Sequence, residues 1–112
     1  MSGSRDPAEN ESRVLLDLNN SIFQENWFQM EKPERSRVTD TLKKIRRLTW
    51  SQVYQDQGLK WEKITSLNPT AAFGSVYSLR VTQSRRATAY RDGEYMRFLT
   101  VQPDHDSTYG KK

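Results

Sequence analysis

The chain has no cysteine and only one histidine, His105, among its 112 residues. Lack of thiols excludes disulfides, thiolate chemistry and Cys-type zinc sites. With a single imidazole there is no second one to complete a His-based metal centre, and the consecutive Asp104, His105 and Asp106 are poorly spaced to converge on one ion. The five glycines are scattered, so no Gly-rich phosphate loop is present. No GxSxG context supports a serine nucleophile. Apolar runs extend for only a few residues, too few to cross a bilayer. The opening MSGSRDPAENES carries no apolar signal-peptide core, so a cytoplasmic location is expected.

What is present describes a polar but globular chain. Charged residues make up 29% and hydrophobic residues 34%, and the 11% aromatic content argues against wholesale disorder. The length fits one domain with one modest core. Residues 1–12 read as a disordered leader, and residues 13–112 as a single α+β domain. Charge is uneven along it: residues 1–57 hold nine basic and nine acidic side chains, whereas residues 58–112 hold nine basic and five acidic. The whole net charge of +4 therefore sits in the second half. Either an anionic partner such as nucleic acid or an ordinary basic surface fits that asymmetry.

In RVLLDLN, Val14, Leu16 and Leu18 alternate with Leu15, Asp17 and Asn19, which predicts a strand with one apolar face. Asn19, Asn20 and Ser21 offer helix-capping chemistry for IFQENWFQM. The clearest helix is EKPERSRVTDTLKKIRRL, with Val38, Leu42, Ile45 and Leu48 on one stripe. Pro33 and Glu34 suit its first turn, and Lys43, Lys44, Arg46 and Arg47 its C-terminal end. Those four cations read as a solvated helix face or as an RNA contact. Thr49 and Gln52 have capping-box spacing, with Trp50, Val53 and Tyr54 on one face and Gly58 as a stop. From Leu59 to Ser75, Pro69 and Gly74 predict irregular structure around an anchor such as Trp61 or Ile64.

From Val76 the period becomes two. VYSLRVT alternates Tyr77, Leu79 and Val81 with Ser78, Arg80 and Thr82. RATAYR and EYMRFLTV follow on either side of Asp92-Gly93, the pair expected at the centre of a type I′ hairpin turn. The expected architecture is thus an N-terminal strand, two to three helices, then a three-stranded antiparallel meander packed on the helices.

The meander is rich in arginine: Arg80, Arg85, Arg86 and Arg97, with Tyr90 and Tyr95 interleaved. Such residues suit gripping a phosphate backbone and stacking on bases, and they equally suit a solvated sheet face. His105 and Tyr109 come after the sheet, at a spacing that shares a face if the segment is helical. An imidazole, a phenol and guanidiniums together suit RNA cleavage by its own 2′-hydroxyl. A lone histidine in a polar segment also reads as incidental.

In element order and in residues 76–109, VYSLRVTQSRRATAYRDGEYMRFLTVQPDHDSTY, the chain resembles the RelE/ParE superfamily of bacterial type II toxins, in particular its RelE-like translational repressors. The resemblance implies a small, metal-independent endoribonuclease that cuts messenger RNA on the ribosome and needs no small-molecule cofactor. It also implies a cognate antitoxin as partner and no membrane. Carried over by position, Arg80 and Arg86 would bind the phosphate and stabilise the transition state, while His105 and Tyr109 would share acid and base roles. A one-residue shift would put Arg85 in place of Arg86. Lys60 and Lys63 match lysines that contact RNA, and Arg97 would add to the basic face. The ParE branch implies the alternative, a non-catalytic module acting on gyrase, and a plain RNA- or ribosome-binding domain is a third reading.

Overall fold

The computed structural model describes residues 11–64 and 74–103. Most of the expected leader, the stretch around Pro69, and both His105 and Tyr109 lie outside the described residues. Strand β1 (Leu15–Asp17) leads into helix α1 (Ser21–Phe28), α2 (Lys32–Arg46) and α3 (Trp50–Gln55). Strands β2 (Glu62–Lys63), β3 (Tyr77–Thr82), β4 (Arg85–Asp92) and β5 (Tyr95–Pro103) follow. The fold is α+β.

Each helix starts where local chemistry supplies acceptors for its unpaired amides. Asn20 Oδ1 accepts from the amides of Ile22 at 2.8 Å and Phe23 at 3.2 Å, a cap that stabilises by about 1 kcal/mol. Pro33 lies in the first turn of α2, where its missing N–H costs nothing. At α3 the capping box is complete: Thr49 Oγ1 accepts from the Gln52 amide and Gln52 Oε1 from the Thr49 amide. Helix α3 then ends at Gln55 with Asp56 extended. The expected stop at Gly58 is replaced by Asp56, whose carboxylate accepts from the Leu59 amide at 2.9 Å and pairs with Lys44 at 2.9 Å.

The sheet has five strands, one more than the four expected, the short β2 being the addition. Its order is β1-β5-β4-β3-β2, with β1 parallel to β5 and every other pair antiparallel. The short β1 is fixed from both sides: the Val14 amide donates to the Leu48 carbonyl and the Leu15 amide to the Glu94 carbonyl. β2 arises because the segment after α3 runs back along β3, with the Arg80 amide donating to Leu59 O and the Ile64 amide to Val76 O.

The turn between β4 and β5 is shifted by one residue from the expected centre. Asp92 pairs with Tyr95, so Gly93 and Glu94 are the central residues. Only Gly93 has positive φ, at 63°, the pattern of a turn with glycine at its first central position. Asp92 is thereby retained in the ladder, and the expected type I′ turn is not formed.

All three helices cover one sheet face. Phe23 of α1 meets Phe98 of β5 with centroids 5.2 Å apart. Val38, Leu42 and Ile45 of α2, with Leu79, Val81, Ala87, Ala89, Met96 and Val101 of the sheet, complete the core with Val14, Trp50 and Val53. Each large side chain buried here contributes about 1.5–3 kcal/mol relative to exposure. Two polar threads hold the layers in register. Thr41 Oγ1 donates to the Val81 carbonyl at 2.6 Å, and Asn26 Oδ1 accepts from the Val101 amide at 3.0 Å. The second lies along a part of β5 that β1 is too short to pair.

Candidate nucleic-acid interface

The face of the sheet turned away from the helices carries the alternate residues of β3, β4 and β5. Register sets their neighbours: Arg80 lies directly opposite Arg86, and Arg86 opposite Gln102. One row along, Ser78 pairs with Thr88 and Thr88 with Thr100, whose hydroxyls are 2.8 Å apart. Like charges directly opposite across a ladder repel, and each of these two guanidiniums also has other partners.

Neighbouring polar groups hold both guanidiniums in place. Arg80 Nη1 donates to the Gln83 carbonyl at 2.9 Å. Arg86 Nη2 donates to Ser78 Oγ at 2.8 Å and stands 3.9 Å from Glu62 Oε1, at the limit of an ion pair. The Glu62 side chain is 59% exposed, so solvent screens much of that attraction.

Arg85, the alternative by a one-residue shift, lies on the other side of β4. Its Nε is 3.2 Å from Glu34 Oε2, without the alignment of a hydrogen bond. Thr82 joins it there, although simple alternation puts Thr82 beside Arg80. The register of β3 shifts between Arg80 and Thr82, and such a bulge reverses the facing of the residues beyond it. Thr82 Oγ1 consequently donates to Glu34 Oε2 at 2.8 Å, and Ser84 Oγ to the same oxygen at 3.3 Å. Arg37 donates to Glu34 Oε1 at 2.9 Å. Partial burial raises the Glu34 pKa, but the hydrogen bonds from Thr82 and Arg37, the charge of Arg85 and the Ser84 hydroxyl outweigh it. The net effect holds the carboxyl below its ordinary range. Glu34 thus ties the β3–β4 hairpin to the first turn of α2.

Arg97 sits at the far end of the open face and is held between two carboxylates. It donates to Asp17 Oδ2, and its Nε donates to Asp92 Oδ2 at 2.9 Å. Its guanidinium also lies 4.7 Å from the Tyr95 ring centroid. The Asp17 pKa is lowered first by the Asn19 amide and then by Arg97, and the Arg97 pKa is raised by Asp17 and Asp92.

Lys60 and Lys63 are exposed near the β2 edge. Lys63 lies opposite Tyr77, which puts its side chain on the helix-facing side of the sheet. The structure therefore brings Arg80 and Arg86 together and places Arg85 and Lys63 on the other side of the sheet and Arg97 at its far end, while Lys60 follows Leu59, whose carbonyl accepts from the Arg80 amide. Sequence reasoning did not single out Ser78, Glu62 or the anchoring part of Glu34. The contacts of Glu62 and Glu34 join elements far apart in the chain and the Ser78–Arg86 bond depends on strand register, so no local pattern announces them.

Among the described residues, no helix is long and apolar enough to cross a membrane. Comparison with models of protein families, with curated proteins and with solved structures finds no match.

Proposed function

We propose that the β3–β4 end of the open face binds the phosphate backbone of RNA. On that reading the chain belongs with proteins that recognise nucleic acid through a basic antiparallel sheet. More particularly, we propose a RelE-like toxin, a metal-independent messenger-RNA endoribonuclease that works on the ribosome and is restrained by a cognate antitoxin. The observation that carries the reading is the direct cross-strand opposition of Arg80 and Arg86.

Two guanidiniums on one face offer several fixed donors to non-bridging phosphate oxygens. They would act most strongly where negative charge builds up on the phosphorane. β5 ends beside this pair: Gln102 is opposite Arg86, Pro103 is opposite Arg85, and His105 follows two residues later in the chain. In the proposed reaction one of His105 and Tyr109 removes the proton of a 2′-hydroxyl. The 2′-oxygen attacks the adjacent phosphorus, the P–O5′ bond breaks, and the other group protonates the departing 5′-oxygen.

The test is expression in a bacterial host without an antitoxin. Growth and labelled-methionine incorporation should stop within minutes, with new 5′ ends appearing in messenger RNA. His105→Ala with Tyr109→Ala should abolish both effects while the circular dichroism spectrum is unchanged. Undiminished arrest by the double variant would sink the ribonuclease reading, and DNA damage in place of translational arrest would favour a gyrase-directed module.

A further inference from the structure

On the helix-covered side, at the β2–β3 edge, a cleft of about 250 Å³ is lined by Tyr54, Trp61, Ser75, Tyr77 and Arg91. We propose that this cleft is a second ligand site, which takes an unstacked base of single-stranded RNA. The inference is independent of catalysis at the open face.

The cleft is built of flat rings held at fixed angles. Trp61 stacks on Tyr77 with centroids 4.7 Å apart and planes 11° from parallel. Trp50 meets the edge of Trp61 at 5.2 Å and is itself buried in the core. Tyr54 packs 5.7 Å from Trp50 but leaves 53% of its surface exposed. Tyr54 thereby presents ring surface at the cleft, four residues from a tryptophan that is 2% exposed.

Arg91 supplies the charge, and it is immobilised. Its guanidinium carbon lies 4.6 Å from the centroid of Trp50 and 5.9 Å from that of Tyr54. Nη1 donates to the Tyr54 hydroxyl at 2.7 Å and Nε to the Gly93 carbonyl at 2.8 Å. Lys63 is exposed and on the same side of the sheet as Tyr77. None of the five lining residues is acidic.

The backbone beside the cleft is also strained. Lys60 has φ of 50°, and it is the sole non-glycine residue with positive φ among those described. Lys60 lies between buried Leu59 and the stacked Trp61, so the left-handed turn leads directly into the ring pair. Left-handed backbone is unfavourable for a lysine, and such strain concentrates at binding sites.

Stacked ring faces beside a fixed cation select a planar ring that carries an anion, which describes a nucleotide. A cationic ligand is repelled by Arg91. A proline-rich peptide would use the rings but not the positive charge, so the charge favours RNA.

Titration of the full chain with a four-nucleotide oligoadenylate, followed by tryptophan fluorescence, tests the site. The oligoadenylate should quench the signal, and inorganic tripolyphosphate should not reproduce that quenching. Tyr54→Ala should weaken binding about tenfold, the loss expected for one stacked base. Lys63→Glu, at an exposed strand position, should weaken it in an independent arm that does not disturb the rings. The Arg80→Ala, Arg86→Ala double variant should retain the quenching, which separates this site from the open face. Wild-type affinity in both Tyr54→Ala and Lys63→Glu, or tighter binding of a proline-rich decapeptide than of oligoadenylate, would overturn the proposal. Loss of the cleft with RNA cleavage intact bears on the cleft alone.

Discussion

At the β1–β5 end of the open face, Arg97 lies between Asp17 and Asp92, both within ion-pair distance. At the β3–β4 end of that same face, Arg80 and Arg86 oppose each other across the ladder, and the nearest ion-pair contact of Arg86 is 3.9 Å from an exposed glutamate. The first arrangement joins three strands, because Asp17 is on β1, Arg97 on β5 and Asp92 on β4. The second places two like charges opposite each other on adjacent strands, each also bonded to neighbouring groups. The contrast sets one charge paired across three strands beside two like charges that register brings together, and it is at the second place that we propose a phosphate binds.

The strongest way to break this contrast is to remove the opposed pair. Arg80→Ala with Arg86→Ala should lower messenger-RNA cleavage by about a hundredfold or more, the scale expected when charge-stabilising donors are lost. The melting temperature should change little, because neither side chain belongs to the buried core. A parallel fall in stability and cleavage would assign the arginines to the scaffold instead.

Glu34→Gln comes next, since Glu34 anchors the hairpin that carries both arginines. Loss of its charge-assisted bonds should cost about 1–2 kcal/mol in denaturant unfolding. The Glu34 pKa is depressed in the fold, so its contribution is complete above its ordinary value of 4.5 and is lost as the pH falls through the lower folded value. Stability of the wild type should therefore decline at acid pH more steeply than that of Glu34→Gln.

Ser78→Ala is a finer probe. It removes the hydrogen bond that orients Arg86, and cleavage should fall about five-fold, the equivalent of one hydrogen bond, with no change in melting temperature. The smallest effect belongs to the other end of the face. Arg97→Ala should leave cleavage unchanged and lower the melting temperature, as removal of a partly exposed ion pair does. The Asp17 pKa is also depressed, so Asp17→Asn should flatten the acid side of the stability profile in the same sense as Glu34→Gln, by less.

Local chemistry was readable from the sequence. The Asn20 cap, the Thr49–Gln52 box, the Val38–Leu42–Ile45 stripe and the alternation of Leu79 and Val81 each depend on residues a few positions apart. Less was readable where distant segments meet. The parallel pairing of β1 with β5 and the Asp17–Arg97 contact span eighty residues, and nothing in LLD names that partner. The bulge that turns Thr82 toward Glu34 leaves no trace in an alternating pattern. Alternation did put Arg80 and Arg86 on strands of opposite direction, but only the register brings them face to face. The aromatic cleft draws on α3, the segment before β2, β3 and β4, and so escapes any reading along the chain.

The most direct test of the account is nuclear magnetic resonance of the arginine Nε–Hε groups during titration with a short single-stranded RNA. The signals of Arg80 and Arg86 should shift together and saturate together, with a strong dependence on salt, while that of Arg97 stays fixed. Equal shifts at Arg97, or no shift at Arg80 and Arg86 under saturating RNA, would contradict the assignment of the β3–β4 end as the phosphate-binding site.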